Sequence, residues 1–238
     1  MLSKNFYYRI RYQIKRKANF NVILNFFFDR LKHPFVQYKK KKFRKLHQNF
    51  LKNKQTSEDY FSINVYYWNL ILNKYFEEFS YLEIGSWEGS SALYILNNHK
   101  TRKVYCVDVW DKDKKYEELF RKNFKNFLNN MQEFDHQYRY FKERSDDFFN
   151  NNKEYFDIIY VDGSHEASQV DKDLNNSWKF LNLNGIIICD DFFYGDLYSA
   201  SNDDVPATSI NKFIKKRGNK LKVLCVNNCQ VFLQKISN

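Results

Sequence analysis

Glycine occurs six times and proline twice in 238 residues, which excludes collagen-like and Pro/Gly low-complexity chains. The four cysteines (Cys106, Cys189, Cys225 and Cys229) show no paired CxxC spacing. That argues against a zinc cluster and for reduced thiols in a reducing compartment, the cytoplasm. Apolar runs such as Val22-Ile23-Leu24 and Phe26-Phe27-Phe28 are cut by Asn25 and bounded by Asp29-Arg30, far short of the roughly 20 residues that span a bilayer. Acidic residues are scarce at one end. Residues 1–57 hold 16 Lys+Arg and a single acid, Asp29, for a net charge of +15, whereas residues 58–238 hold 23 Lys+Arg and 27 Asp+Glu, for a net charge of −4.

With 43% hydrophobic and 19% aromatic residues, the chain can bury a sizeable core, and its length suits one domain with an appendage. The abundance of Phe, Tyr, Lys and Asn also fits an AT-rich coding sequence. The organisation expected is a basic, helical arm over residues 1–57 and a domain over 58–238. Within the arm, Phe20, Ile23 or Leu24, Phe27 and Leu31 recur at helical spacing, as do Phe43, Leu46 and Phe50 behind the run Lys39 to Lys42. Two short basic amphipathic helices are expected. They either cover the domain with their apolar faces or touch an anionic membrane surface or acidic partner, with nucleic acid third. The arm lacks the Ser-rich character of a transit peptide.

After Thr56 or Ser57, a helix-capping position, a helix to about Tyr75 leads into alternating elements: strand Phe79 to Ile84, turn Gly85 to Gly89, helix Ser90 to Leu96, strand Val104 to Val109, helix Tyr116 to Met131, strand Tyr138 to Glu143, a short helix near Asp146, strand Phe156 to Val161, helix Val170 to Leu181 and strand Ile186 to Cys189. Such alternation specifies a Rossmann-like, doubly wound α/β sheet, mostly parallel. Helix Ser209 to Lys216 is followed by Leu221 to Val226, an Asn227-Asn228 turn and Gln230 to Ile236, a hairpin that makes the C-terminal strand antiparallel.

Ligands of such sheets bind beyond the carboxyl ends of the strands. The first turn reads Glu83-Ile84-Gly85-Ser86-Trp87-Glu88-Gly89 and takes two of the six glycines. Close approach of a ligand to backbone explains them; a turn built only for packing is the alternative. Trp87 stands where a GxGxxG fingerprint has its middle glycine, which argues against NAD or FAD. Glu83 can hold the loop amides or a ligand ammonium. Asp108, at the end of the second strand, is placed for ribose hydroxyls, or is a plain turn aspartate.

These residues resemble class I S-adenosylmethionine (SAM) dependent methyltransferases, whose first motif is an acid followed by GxxxG and whose second strand ends in an acid. The stretch Phe156-Asp157-Ile158-Ile159-Tyr160-Val161-Asp162-Gly163-Ser164-His165, continuing through Val170, Asp173-Leu174 and Trp178 to Asn184-Gly185-Ile186-Ile187-Ile188-Cys189-Asp190-Asp191, is similar to the DGxH branch, which includes macrolide sugar O-methyltransferases and relatives of cephalosporin hydroxylase. The resemblance implies that Glu83, Gly85, Gly89 and Asp108 hold SAM, with Ser145 and Asp146 near its adenine and Trp110 stacking there. It implies that Asp162, Asp190 and Asp191 bind a divalent cation and that His165 is the general base. Ala167 and Asn184 depart from the branch, which has Tyr at the first position and a glycine pair at the second.

Three acids at adjacent strand ends would repel one another unless a cation joined them, and hard oxygen ligands favour Mg²⁺; helix-capping aspartates facing water are the alternative. His165 alone could cap or pack, but three residues after Asp162, beside the expected cation, it reads as functional. The expected reaction is metal-assisted O-methylation of a hydroxyl on a sugar or small polyol. RNA methylation, SAM binding without turnover and a hydroxylase-like activity are the other readings.

Overall fold

The computed structural model describes residues 4–110, 117–195, 203–227 and 229–238. Tyr116 and Asn228, named above at a helix start and a turn, lie outside them. The helices are α1 (Lys4–Lys15), α2 (Phe20–Leu51), α3 (Val65–Tyr75), α4 (Ser90–Asn98), α5 (Glu117–Met131), α6 (Ser145–Asn151), α7 (Ala167–Phe180) and α8 (Pro206–Arg217). The strands are β1 (Glu78–Ile84), β2 (Lys100–Asp108), β3 (Arg139–Lys142), β4 (Phe156–Val161), β5 (Leu181–Cys189), β6 (Leu221–Val226) and β7 (Val231–Lys235). The sheet has seven strands in the order β3-β2-β1-β4-β5-β7-β6. This is the Rossmann-like arrangement that the alternation specified. Contacts divide the chain into residues 33–156 and residues 1–32 with 157–238.

In residues 33–156, β1 pairs parallel with β2, and β2 with β3. Six of the seven β1 residues are buried, as expected of a strand covered on both faces. In the other part, β7 runs antiparallel to both β5 and β6. The C-terminal strand therefore lies inside the hairpin's edge: all five β7 residues are buried, while β6 is mostly half-exposed. Asn227 shapes the turn, its Oδ1 accepting from the amides of Cys229 at 2.8 Å and Gln230 at 2.7 Å. β5 starts at Leu181, five residues before the expected Ile186. Asn184 within it takes φ +65°, a conformation that Asn tolerates better than most residues and that suits a position where the resembling branch has glycine. A Cβ on the following Gly185 would lie 2.8 Å from the Asn182 carbonyl oxygen.

The N-terminal segment differs from the expected pair of short helices. One 32-residue helix, α2, runs through both apolar patches with Pro34 inside it, and α1 precedes it. Val22, Phe26, His47 and Leu51 are its buried residues, whereas Phe20, Leu31 and Leu46 face solvent. Local spacing marked an apolar stripe, but packing partners chose a neighbouring one. Within residues 1–32 and 157–238, the Phe26 ring lies 5.3 Å from that of Phe193, the Tyr12 hydroxyl donates to the Tyr194 carbonyl at 2.9 Å, and Arg16 pairs with Asp203. Within residues 33–156, His47 packs edge-on against Phe61 and Tyr94, and burial lowers its pKa to about 4. The expected entry helix begins at Val65 rather than at residue 56 or 57. The Ser57 amide and hydroxyl donate instead to Glu88 Oε2, at 2.6 and 3.0 Å. Among the described residues no helix is long and apolar enough to cross a membrane.

Candidate functional site

Each part carries its own set of the residues singled out above. In residues 33–156 the centre is the turn after β1. Gly85 and Gly89 adopt φ +91° and +86°, values that a Cβ strains. A Cβ on Gly89 would also meet the Phe127 ring at 3.1 Å, so this glycine serves packing as well as the turn. Asp108 organises the loop. Its Oδ2 accepts the Trp87 amide at 2.8 Å and its Oδ1 the Trp110 amide at 3.1 Å, while the Trp110 indole N–H donates to the Trp87 carbonyl at 2.7 Å. Trp87 and Trp110 both take positive φ, +46° and +40°. Side chains rarely tolerate that region unless their surroundings hold them there, and the shared carboxylate does so here. Burial raises the pKa of Asp108, with the loop amides acting against the shift.

Two of the expected roles change. Glu83 lies beneath the turn, fully buried, with Oε2 accepting from the Tyr81 hydroxyl at 2.7 Å and the Ser91 hydroxyl at 2.8 Å. Asp108, not Glu83, holds the loop amides. Burial raises the Glu83 pKa to about 7, because a carboxylate removed from water is costly without a cation. Trp110 is likewise buried, 4.6 Å from the Phe127 ring and 5.0 Å from Phe124, so it belongs to the core and not to an adenine stack. Ser145 and Asp146 sit half-buried in the first turn of α6, where an acid favours the positive end of the helix dipole.

In residues 157–238 the aspartates after β4 and β5 engage protein donors. The Tyr160 hydroxyl donates to Asp162 Oδ2 at 2.8 Å and also bonds Asp190. Asp190 Oδ2 accepts from Gln230 Nε2 at 2.8 Å, and its Oδ1 from the Asp191 amide at 2.7 Å. Burial first, then the neighbouring Asp191 charge, raises the Asp190 pKa to about 6. Asp191, at φ +57°, turns towards His165, whose Nε2 lies 2.6 Å from Asp191 Oδ2. The His165 ring stacks on Tyr194, with centroids 4.1 Å apart and planes 13° apart, and its side chain is 51% exposed. The hydrogen bond to Asp191 raises its pKa above 6.5.

The expected metal centre does not fit this arrangement. A cation shared by the three acids would need their lone pairs turned to one point. Asp162 and Asp190 instead share a tyrosine hydroxyl, Asp190 also accepts from Gln230, and Asp191 serves the histidine. Among the described residues no group of three or more His, Cys, Asp or Glu side chains could hold a metal ion. SAM is different. The turn keeps its two glycine conformations at the carboxyl end of β1, and the Trp87 indole N–H is buried with no acceptor among the described residues, a donor suited to a ligand.

Residues 82–192 match a family described as a methyltransferase domain. Over that stretch, a little under half of its length, the chain is similar to methyltransferase domains. An uncharacterized protein of Acanthamoeba polyphaga mimivirus is 30% identical over 139 residues, 58% of this chain and 60% of its own length, so the chain spans about three-fifths of the relative it matches. An O-methyltransferase from Bacillus cereus in complex with SAH superposes with a TM-score of 0.54 at 12% identity, over 90% of this chain and 99% of that one. The O-methyltransferase TomG from Streptomyces achromogenes, involved in tomaymycin synthesis and in complex with SAM, gives a TM-score of 0.54 at 13% identity, over 84% and 89%. At such identities the likeness is one of fold.

Sequence reasoning missed several residues of these two sites. Tyr81 and Tyr160 stand two residues before Glu83 and Asp162, and residues i and i+2 of a strand share a face; the Tyr-x-acid pattern at both strand ends was the available signal. Tyr194, three residues after Asp191, had a weaker one. Gln230 reaches Asp190 from the start of β7 across 40 residues of chain, and no local pattern marks it.

Proposed function

We propose that the chain transfers a methyl group from SAM to a hydroxyl of a small polyhydroxylated acceptor, a sugar being the first class to test. The observation that carries this reading is the His165–Asp191 pair. A carboxylate only accepts, so Nε2 carries the proton and Nδ1 keeps its lone pair. The ring is half-exposed, held in plane by Tyr194, and made more basic by Asp191.

The cofactor, when bound, supplies an electrophilic methyl carbon on a sulfonium. Gly85, Gly89 and the Asp108-braced loop would hold it. His165 Nδ1 would take the acceptor hydroxyl's proton as the methyl group passes from sulfur to that oxygen and S-adenosylhomocysteine is left, and Asp191 would stabilise the imidazolium that forms. Tyr194 supports the same charged ring through its π face. Polar, partly exposed groups (Asp162, His165, Asp191 and Tyr194) suit an acceptor rich in hydroxyls, and structural neighbours described as O-methyltransferases support oxygen as the receiving atom. No step here runs through a cation.

The experiment incubates the full chain with SAM and a panel of hexoses, glycosides and nucleotide sugars and measures S-adenosylhomocysteine release, with SAM affinity read separately by calorimetry. A sugar-dependent rate that falls about 10²- to 10⁴-fold in His165→Ala, with SAM affinity retained, is expected. SAM binding without release on any acceptor would identify a binding protein. A rate unaffected by His165→Ala would remove the base assignment.

A further inference from the structure

We infer that the outward face of α2 between Phe35 and Asn49 docks on an anionic lipid surface. Phe35, Tyr38, Lys39, Lys42, Lys45, Leu46 and Asn49 follow helical i, i+3, i+4, i+7 spacing and so share one face. Phe35 is 86% exposed, Tyr38 79% and Leu46 57%, and the three lysines are exposed as well. From Phe35 to Leu46 the stripe is about 17 Å long at 1.5 Å per residue.

The opposite face explains why this one is left outside. Phe43 packs edge-on against Tyr66, Lys40 bonds the Tyr67 hydroxyl and lies over its ring, and His47 is buried against Phe61 and Tyr94. These contacts set the rotation of the helix and turn Phe35, Tyr38 and Leu46 away from the core.

Charge selects the occupant. Between Arg30 and Ser57 the chain contains no Asp or Glu, so the stripe presents cations without an acid among them. An apolar surface would leave the lysines unsatisfied, and a polyanion alone would leave Phe35 and Leu46 in water. An anionic bilayer meets both demands: headgroups take the lysines while the rings and the leucine enter the acyl boundary. A branched aliphatic on the stripe favours lipid over nucleic acid, whose bases reward flat rings and cations.

Co-sedimentation of the full chain with vesicles of phosphatidylcholine alone, and with phosphatidylserine added, tests the inference. Binding to the anionic vesicles, weakening as salt rises, is expected. Lys39→Gln and Lys42→Gln should each lower the affinity about 5-fold, and Phe35→Ser with Leu46→Ser about 10-fold or more. Lys153→Gln, on an exposed loop outside the helix, should change nothing. Because the substituted side chains are exposed, unfolding temperatures should match wild type, so a loss of binding reports the surface and not the fold. Wild-type affinity in the Phe35/Leu46 variant, or equal binding to neutral vesicles, overturns the inference. Tight binding to single-stranded RNA with none to anionic vesicles overturns it in favour of nucleic acid.

Discussion

Replacing Glu83 by Gln tests whether this acid supports the turn or touches the cofactor. Glu83 is fully buried, and its pKa rises from 4.5 to about 7. A raised carboxyl pKa means that the folded state binds the proton more tightly than the unfolded chain does. The stability this contributes is fully present below pH 4.5 and is lost as pH rises through about 7. The gap corresponds to about 3 kcal/mol, at 1.36 kcal/mol for each pH unit between the two values. Gln keeps an oxygen that can accept from both Tyr81 and Ser91 and never ionises, so Glu83→Gln should equal wild type at pH 4–5 and exceed it by about 3 kcal/mol at pH 9. For a chain of this size that is a Tm difference of about 6–12 °C. Thermal unfolding followed by circular dichroism across that range reads it directly. Asp190, raised to about 6, imposes its own decline on both proteins and cancels in the difference. Parallel Tm–pH curves would refute the reasoning, and so would a variant less stable than wild type at pH 9. SAM affinity should change less than about threefold; a large loss at unchanged Tm would put Glu83 in direct contact with the cofactor.

Asp108→Ala should strip the amides of Trp87 and Trp110 of their acceptor, costing about 1–3 kcal/mol for each buried group, and should abolish SAM binding in calorimetry; retention of both stability and affinity would show that the loop holds itself. Gly89→Ala, placed at φ +86° and 3.1 Å from Phe127, should lose about 1–2 kcal/mol or more in denaturant unfolding, and a neutral effect would contradict the geometry. The methyl-transfer rate should rise with pH through a midpoint above 6.5 as His165 loses its proton, and Asp191→Asn should move that midpoint down, visible also in the imidazole NMR titration; the stabilisation from the pair is fully present below 6.5 and fades as pH passes the raised value. Chelation with EDTA is expected to leave the rate standing, and a loss restored by Mg²⁺ would return Asp162, Asp190 and Asp191 to a metal. Phe26→Ala should cost about 3–5 kcal/mol, because this residue of the basic arm is buried against Phe193.

The two Tyr-x-acid strand ends give the domain a repeated device. In each, a tyrosine hydroxyl two residues back on the same strand face donates to the acid, Tyr81 to Glu83 and Tyr160 to Asp162. Burial and the neighbouring acid push both hydroxyl pKa values well above 10, so these tyrosines act as donors throughout the physiological range. Acids satisfied in this way need no metal to be tolerated inside the fold.

Sequence by itself determined the alternation of strands and helices, the glycine turn after β1, the acids at the strand ends and the segregation of charge, because each depends on side-chain period, backbone freedom or composition along the chain. It placed β4 to the residue and β1 to within one. Tertiary structure alone decided what those groups do. Asp108 became the brace of the loop because two tryptophan amides turn to it, and Glu83 was buried because Tyr81 and Ser91 close over it. Tyr160 and Gln230, which lie 70 residues apart, meet at Asp190, whose carboxylate accepts from the Gln230 amide. The face of α2 was settled the same way: its periodicity allowed several stripes, and the rings of Phe193, Phe61, Tyr66 and Tyr94 chose which one to bury. Local pattern limits which groups can face one another, whereas hydrogen-bond partners and burial are set by residues distant in the chain.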